Sequence, residues 1–95
     1  MATIDQFKTL EAIVETGSFR AAAEKLHKVQ SAISYNIKTL EAEYHLVLFN
    51  REGYRPVLTD AGQTIFLKAK ELLAKNEKLN QLSGYLAEGK EAEIK

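Results

Sequence analysis

The sequence has no cysteine, no tryptophan, one proline and two histidines in 95 residues. Without cysteine there is no disulfide, no thiolate zinc site and no cysteine nucleophile. His27 and His45 are the only imidazoles, so neither a metal nor any other cofactor is expected. The longest uncharged runs, Val29–Ile37 and Leu79–Ala87, are nine residues each, far short of the roughly 20 apolar residues of a membrane helix. Asp5, Lys8 and Glu11 fall before any apolar run develops, which argues against a signal peptide and for a cytoplasmic protein with no membrane partner. No carboxylate pair and no Ser–His–Asp pattern stands out, and Gly53 is not part of a phosphate-binding loop. The composition therefore points away from an enzyme.

What the chain has is a 45% apolar content and 27% charged residues, ordinary for one small globular domain. Thirteen basic residues balance thirteen acidic ones, and a net charge of zero is unusual for a nucleic-acid-binding domain. The distribution is uneven, however. Residues 1–16 hold one base and three acids, and residues 17–58 hold six bases and four acids. The middle third thus carries a small local basic excess, and it is local charge that a polyanion meets.

Apolar periodicity predicts a helix over Ile4–Thr16 through Phe7, Leu10 and Val14. Thr3 and Gln6 have the spacing of a capping box, and Gly17 suits a left-handed C-terminal stop. Ser18 then caps a short helix with Phe19, Ala22, Ala23 and Leu26 on its apolar face. Three residues, His27-Lys28-Val29, lead into a third helix over Gln30–Tyr44, with Ile33, Ile37, Leu40 and Tyr44 as its core stripe. Leu46–Phe49 and Pro56–Leu58 read as two short strands around a turn containing Gly53. Thr59-Asp60 opens a long helix, and Asp60 and Gln63 could form a second capping box. No breaker follows until Ser83-Gly84. The expected fold is mainly α: a winged helix-turn-helix of three helices plus a two-stranded wing, followed by a long linker helix. Residues 1–59 form the winged domain, 60–88 the linker helix and 89–95 a charged, frayed tail. A small helical bundle with an irregular hairpin fits the periodicity equally well.

Opposite the core stripe, the third helix carries Ser31, Ser34, Tyr35 and Lys38, with Gln30 at its start. Such residues suit a major groove: Gln can pair with adenine, Ser with bases or phosphates, Lys with phosphate or guanine. No acid interrupts this face before Glu41. Arg51 and Arg55 flank the hairpin turn, where they could meet phosphate or the minor groove. Arg20 and Ser18 lie at the start of the second helix, the end of a helix that favours anions, and Lys28 lies in the turn. A solvated polar face with ordinary surface arginines is the plainer alternative.

Five separated segments carry a resemblance: Gly17–His27, Gln30–Ser34, Ile37 with Leu40-Glu41, Leu48-Phe49 with Arg51, and Leu58–Gly62. Together they resemble the DNA-binding domain of LysR-type transcriptional regulators over residues 4 to about 87. The resemblance implies a winged helix-turn-helix that binds double-stranded DNA, as a dimer on an operator with two half-sites. It implies antiparallel dimerisation through the linker helix. It also implies a small-molecule effector bound only by a C-terminal domain that would follow Glu93-Ile94-Lys95. Gln30, Ser31 and Ser34 match positions that contact bases and backbone in the family, and Arg51 matches its wing arginine. Departures stand at Lys28 and Val29, where the family has an apolar residue and then Ser or Thr. Others are Ser31 for a frequent Pro, and Tyr35-Asn36 for the commoner Arg-Gln.

Ile65, Leu72, Leu79 and Leu86 recur every seven residues along the long helix, and Leu82 adds a complementary rung. Ile65 and Leu72 lie near enough to pack on the winged domain. Leu79, Leu82 and Leu86 lie too far along, and with Leu72 they make the candidate dimer seam. Two functions compete: sequence-specific DNA binding as the reading head of a dimeric regulator, and a winged-helix protein-interaction module, which zero net charge and the missing recognition arginine would favour.

Overall fold

The computed structural model describes residues 1–89. The chain runs α1 (Ile4–Thr16), α2 (Phe19–Leu26), α3 (Gln30–Tyr44), β1 (Phe49–Asn50), β2 (Val57–Leu58) and α4 (Asp60–Ala87). The first helices start and stop where local chemistry says they should. The Thr3–Gln6 capping box forms in both directions, and Gly17 closes α1 at φ 85°. The Ser18 hydroxyl accepts the Ala21 N–H at 2.9 Å. His27 and His45 adopt the left-handed conformation at the ends of α2 and α3, giving backbone N–H groups back to the last helical carbonyls.

The core lies where α1, α2 and α3 meet. Leu10, Ile13, Ile33, Ile37, Leu40 and Leu48 are fully buried. Phe19 meets Phe49 edge-on, with ring centroids 5.7 Å apart, which seats the wing on α2. The first half of α4 closes the core with Phe66 and Ala69, and Leu73 packs beside them.

The wing is shorter than the apolar run suggests. The antiparallel register pairs Phe49 with Leu58 and Asn50 with Val57, so Leu46, Val47 and Leu48 are not strand. Their backbone groups are claimed by other elements. The Leu48 N–H donates to Glu41 Oε2 at 2.8 Å, the Leu48 carbonyl accepts the Thr59 N–H, and the Val47 carbonyl accepts the Thr59 hydroxyl at 2.6 Å. These bonds also correct the start of α4. Its N-cap is Thr59, whose hydroxyl accepts the Gly62 N–H. The third helical residue is then Gly62, which has no side chain to close a box, so the expected Asp60–Gln63 capping box does not form. At its other end α4 passes through Ser83-Gly84 without interruption to Ala87. The expected tail of residues 89–95 lies, but for Gly89, outside the described residues. No described helix is long and apolar enough to cross a membrane.

Candidate nucleic-acid interface

The α2–turn–α3 unit presents one end and one face of α3 to solvent. Gln30, Ser31, Tyr35 and Lys38 are exposed there and Ser34 is half-buried. Val29 is the N-cap residue of α3 and makes no side-chain cap bond. The first-turn N–H groups of α3 therefore have no acceptor side chain, and Val29 itself is 68% exposed.

Four acids near this face have partners of their own. Glu41 holds the Leu48 N–H, and Glu43 pairs with the N-terminal ammonium at 3.1 Å. Glu15 pairs with Lys25 at 2.6 Å, and Glu24 lies 3.8 Å from Arg20 in a solvent-exposed pair. Among the described residues no carboxylate lies within ion-pair distance of Lys38, Arg51 or Arg55. These three cations thus have no carboxylate at pairing distance in a chain of zero net charge.

The wing brings its arginines against the start of α2. The Arg51 guanidinium stacks over the Phe19 ring, 4.2 Å from its centroid; the stacking steadies the group while leaving its N–H donors free at the edge. Arg55 reaches the α1–α2 turn, where a Cβ on Gly17 would come within 2.8 Å of its Nη1. Gly17 is required for its positive φ, whereas the guanidinium, at the end of a flexible exposed side chain, can swing clear of a Cβ. Between the wing and α2 lies an open cleft of about 470 Å³ lined by Thr16, Ser18, Arg20, Ala21, Tyr54 and Arg55. Arg55 there meets Ser18 and Arg20, from which it is far in sequence. Tyr54, at 97% exposure, belongs to the same rim. Sequence reasoning missed it, because an isolated turn aromatic carries no periodic signal.

Lys28, unlike Lys38, Arg51 and Arg55, is paired. Its Nζ donates to both carboxylate oxygens of Asp5, at 2.9 and 2.7 Å, so it is turned back to α1. That pairing holds the Asp5 carboxyl below the usual carboxylate range. Partial burial opposes the effect and the Asn36 amide reinforces it.

The family model described as bacterial regulatory helix-turn-helix protein, lysR family, matches residues 4–63, which run from the first residue of α1 into the first turn of α4. The chain belongs to the LysR family. It is 37% identical to the probable HTH-type transcriptional regulator YhaJ of Escherichia coli over 92 residues, covering 97% of this chain and 31% of that protein. It is 38% identical to the HTH-type transcriptional regulator AceR of Acinetobacter baumannii over 90 residues, or 95% of this chain and 30% of that one. The chain thus spans about a third of the length of these curated relatives. Among solved structures, the complex of the CbnR DBD with DNA superposes with a TM-score of 0.82 at 30% identity, over 90% of this chain and 98% of that one. The complex of the BenM DBD with benA site 1 DNA gives 0.84 at 27% identity, over 90% and 96%. The fold is that of the LysR winged-helix domains with their long C-terminal helix.

Proposed function

We propose that this chain is the DNA-reading head of a LysR-type transcription regulator. α3 enters the major groove, with Gln30, Ser31, Ser34 and Tyr35 at base edges and Lys38 at phosphate. Arg51 and Arg55 lie on the adjacent backbone or minor groove, and Ser18 and Arg20 meet phosphate at the start of α2. The observation that carries the reading is the acid-free face of α3, flanked by Lys38, Arg51 and Arg55 with no carboxylate partner. The DNA complexes among the structural neighbours support it. No catalytic step belongs to this reading, and its place is the bacterial cytoplasm, where the DNA is. The functional unit is a homodimer paired through α4 on an operator with two half-sites. Any effector is bound outside this chain. Footprinting on genomic fragments tests the assignment: two protected half-sites are expected, and an absence of protection at low salt overturns it.

A further inference from the structure

Two departures from the family pattern, Lys28 and Asn36, meet on one carboxylate. Asp5 accepts Lys28 Nζ on both oxygens, at 2.9 and 2.7 Å, and the Asn36 amide at 3.1 Å. The second amide N–H of Asn36 donates to Thr9 Oγ1 at 3.0 Å, and Thr9 is the one fully buried polar residue among those described. Its hydroxyl donates in turn to the Asp5 carbonyl at 2.9 Å. One turn further along, Gln6 Nε2 donates to Thr39 Oγ1 at 2.8 Å. A polar seam therefore joins α1 to the α2–α3 turn and to the flank of α3, and its inner end is anchored in the core. An exposed ion pair alone would count for little, but this carboxylate is shared by three elements and tied to a buried group.

We propose that Asp5 is a positioning residue of the reading head: through Asn36 it sets where α3 lies against α1, and by holding the Lys28 ammonium it keeps that charge off the DNA phosphates. This rests on the DNA-reading assignment above. Lys28 stands one residue before the uncapped start of α3, at the end of the helix aimed into the groove, so an unheld ammonium there would become a sequence-blind phosphate contact. Such contacts tighten all DNA alike and narrow the margin for the operator. Val29 gives α3 no side-chain cap bond, and the seam instead fixes the helix at its second turn through Asn36 and the turn before it through Lys28.

Salt titrations on operator and random DNA test the charge. Asp5→Ala should steepen the slope of log K against log salt by about 0.9 per head, tighten random DNA at low salt and narrow discrimination. The neutral pair Asp5→Asn with Lys28→Met should keep the parent slope. A slope shallower by about 0.9 per head in that double variant would make Lys28 a phosphate contact and overturn the proposal. Thermal unfolding of the free protein tests the seam without DNA. Asp5→Ala and Asn36→Ala should each lower Tm, and together they should lower it by clearly less than the sum. Strictly additive losses overturn the clamp, even if the chain were to bind no DNA.

Discussion

At Gly62 the first turn of the long helix lies against the Leu48 backbone and Leu58. A Cβ there would lie 3.0 Å from both the Leu48 carbonyl carbon and Leu58 Cδ2, and closer still to the Leu48 carbonyl oxygen. That carbonyl is fixed by its bond to the Thr59 N–H, so it cannot give way cheaply. Gly62→Ala should therefore lose about 1–3 kcal/mol to overpacking, more than the ~1 kcal/mol that alanine gains in helix propensity, and Tm should fall in a thermal melt. On the reading face, Gln30→Ala and Ser34→Ala should each reduce discrimination between operator and random DNA by about 1–3 kcal/mol if they touch bases. Arg51→Ala should weaken both DNAs and flatten the salt slope. Competition binding separates these outcomes, since equal loss on both DNAs would assign Gln30 to the backbone. Asp5 also gives a pH signature. Its folded pKa is lowered, so the stability it lends is present above the unfolded carboxylate pKa of about 3.9. It is lost as pH falls through the lower folded value. Acid unfolding of the Asp5→Asn variant should lack that component.

α3 is the element with a gap in its own construction. Its N-cap residue has the extended backbone of a cap, at φ −74° and ψ 151°, but a side chain that cannot accept a bond. Val29 is also exposed, so replacing it removes little buried apolar surface. Val29→Ser should stabilise the domain by about 1 kcal/mol, raising Tm by about 4–8 °C for a domain of this size. A melt that does not move would mean the new hydroxyl makes no cap bond. The wing teaches a related lesson. Its two strands are only two residues long, and Phe49 against Phe19 and the Thr59 bonds hold it more than strand pairing does.

At the scale of the molecule, α4 is about 42 Å long at 1.5 Å per residue, in a chain 56 Å in its longest dimension. Its first turns bury Phe66 and Ala69, while Leu79, Leu82 and Leu86 remain 61%, 51% and 40% exposed. Fully burying six such leucines in a dimer, when about half of each is already covered, brings roughly 5–9 kcal/mol, against an association cost of about 4–15 kcal/mol. In the proposed dimer, extending the seam to half-exposed Leu72 and the groove beside it, lined by Phe7, Tyr44, Ile65, Lys68 and Ala69, would add to that gain. Leu79→Asp should give a monomer whose winged head still melts cooperatively, with high-affinity binding to a two-half-site operator lost. Sedimentation equilibrium with circular dichroism checks this, and a dimeric variant would move the interface elsewhere. On the proposed reading, a phosphate contact from each of Arg20, Lys38, Arg51 and Arg55 on two heads would give about eight, so raising salt from 50 to 200 mM should cost roughly 10⁴-fold in affinity. Binding indifferent to salt would sink the DNA reading.

The boundaries of α1, α2 and α3 could be read from the residues, because caps, stops and apolar period act within a few positions. The missing cap at Val29 was legible for the same reason, and the spaced signatures around Gln30–Ser34 and Leu58–Gly62 pointed to the family. Which groups meet across the chain was not legible. Lys28 is a turn cation in the sequence and the partner of Asp5, 23 positions away, in the fold. Asn36 lies 31 positions from the same carboxylate. The start of β1 moved because distant Glu41 and Thr59 claimed the backbone ahead of it. On α4 the heptad of Ile65, Leu72 and Leu79 is visible in the sequence, yet the face that closes the core is the neighbouring one of Gly62, Phe66, Ala69 and Leu73, roughly 90° around the helix at 100° per residue. Periodicity reports that a stripe is apolar; only the packing of α1 against it decides which stripe the chain covers itself.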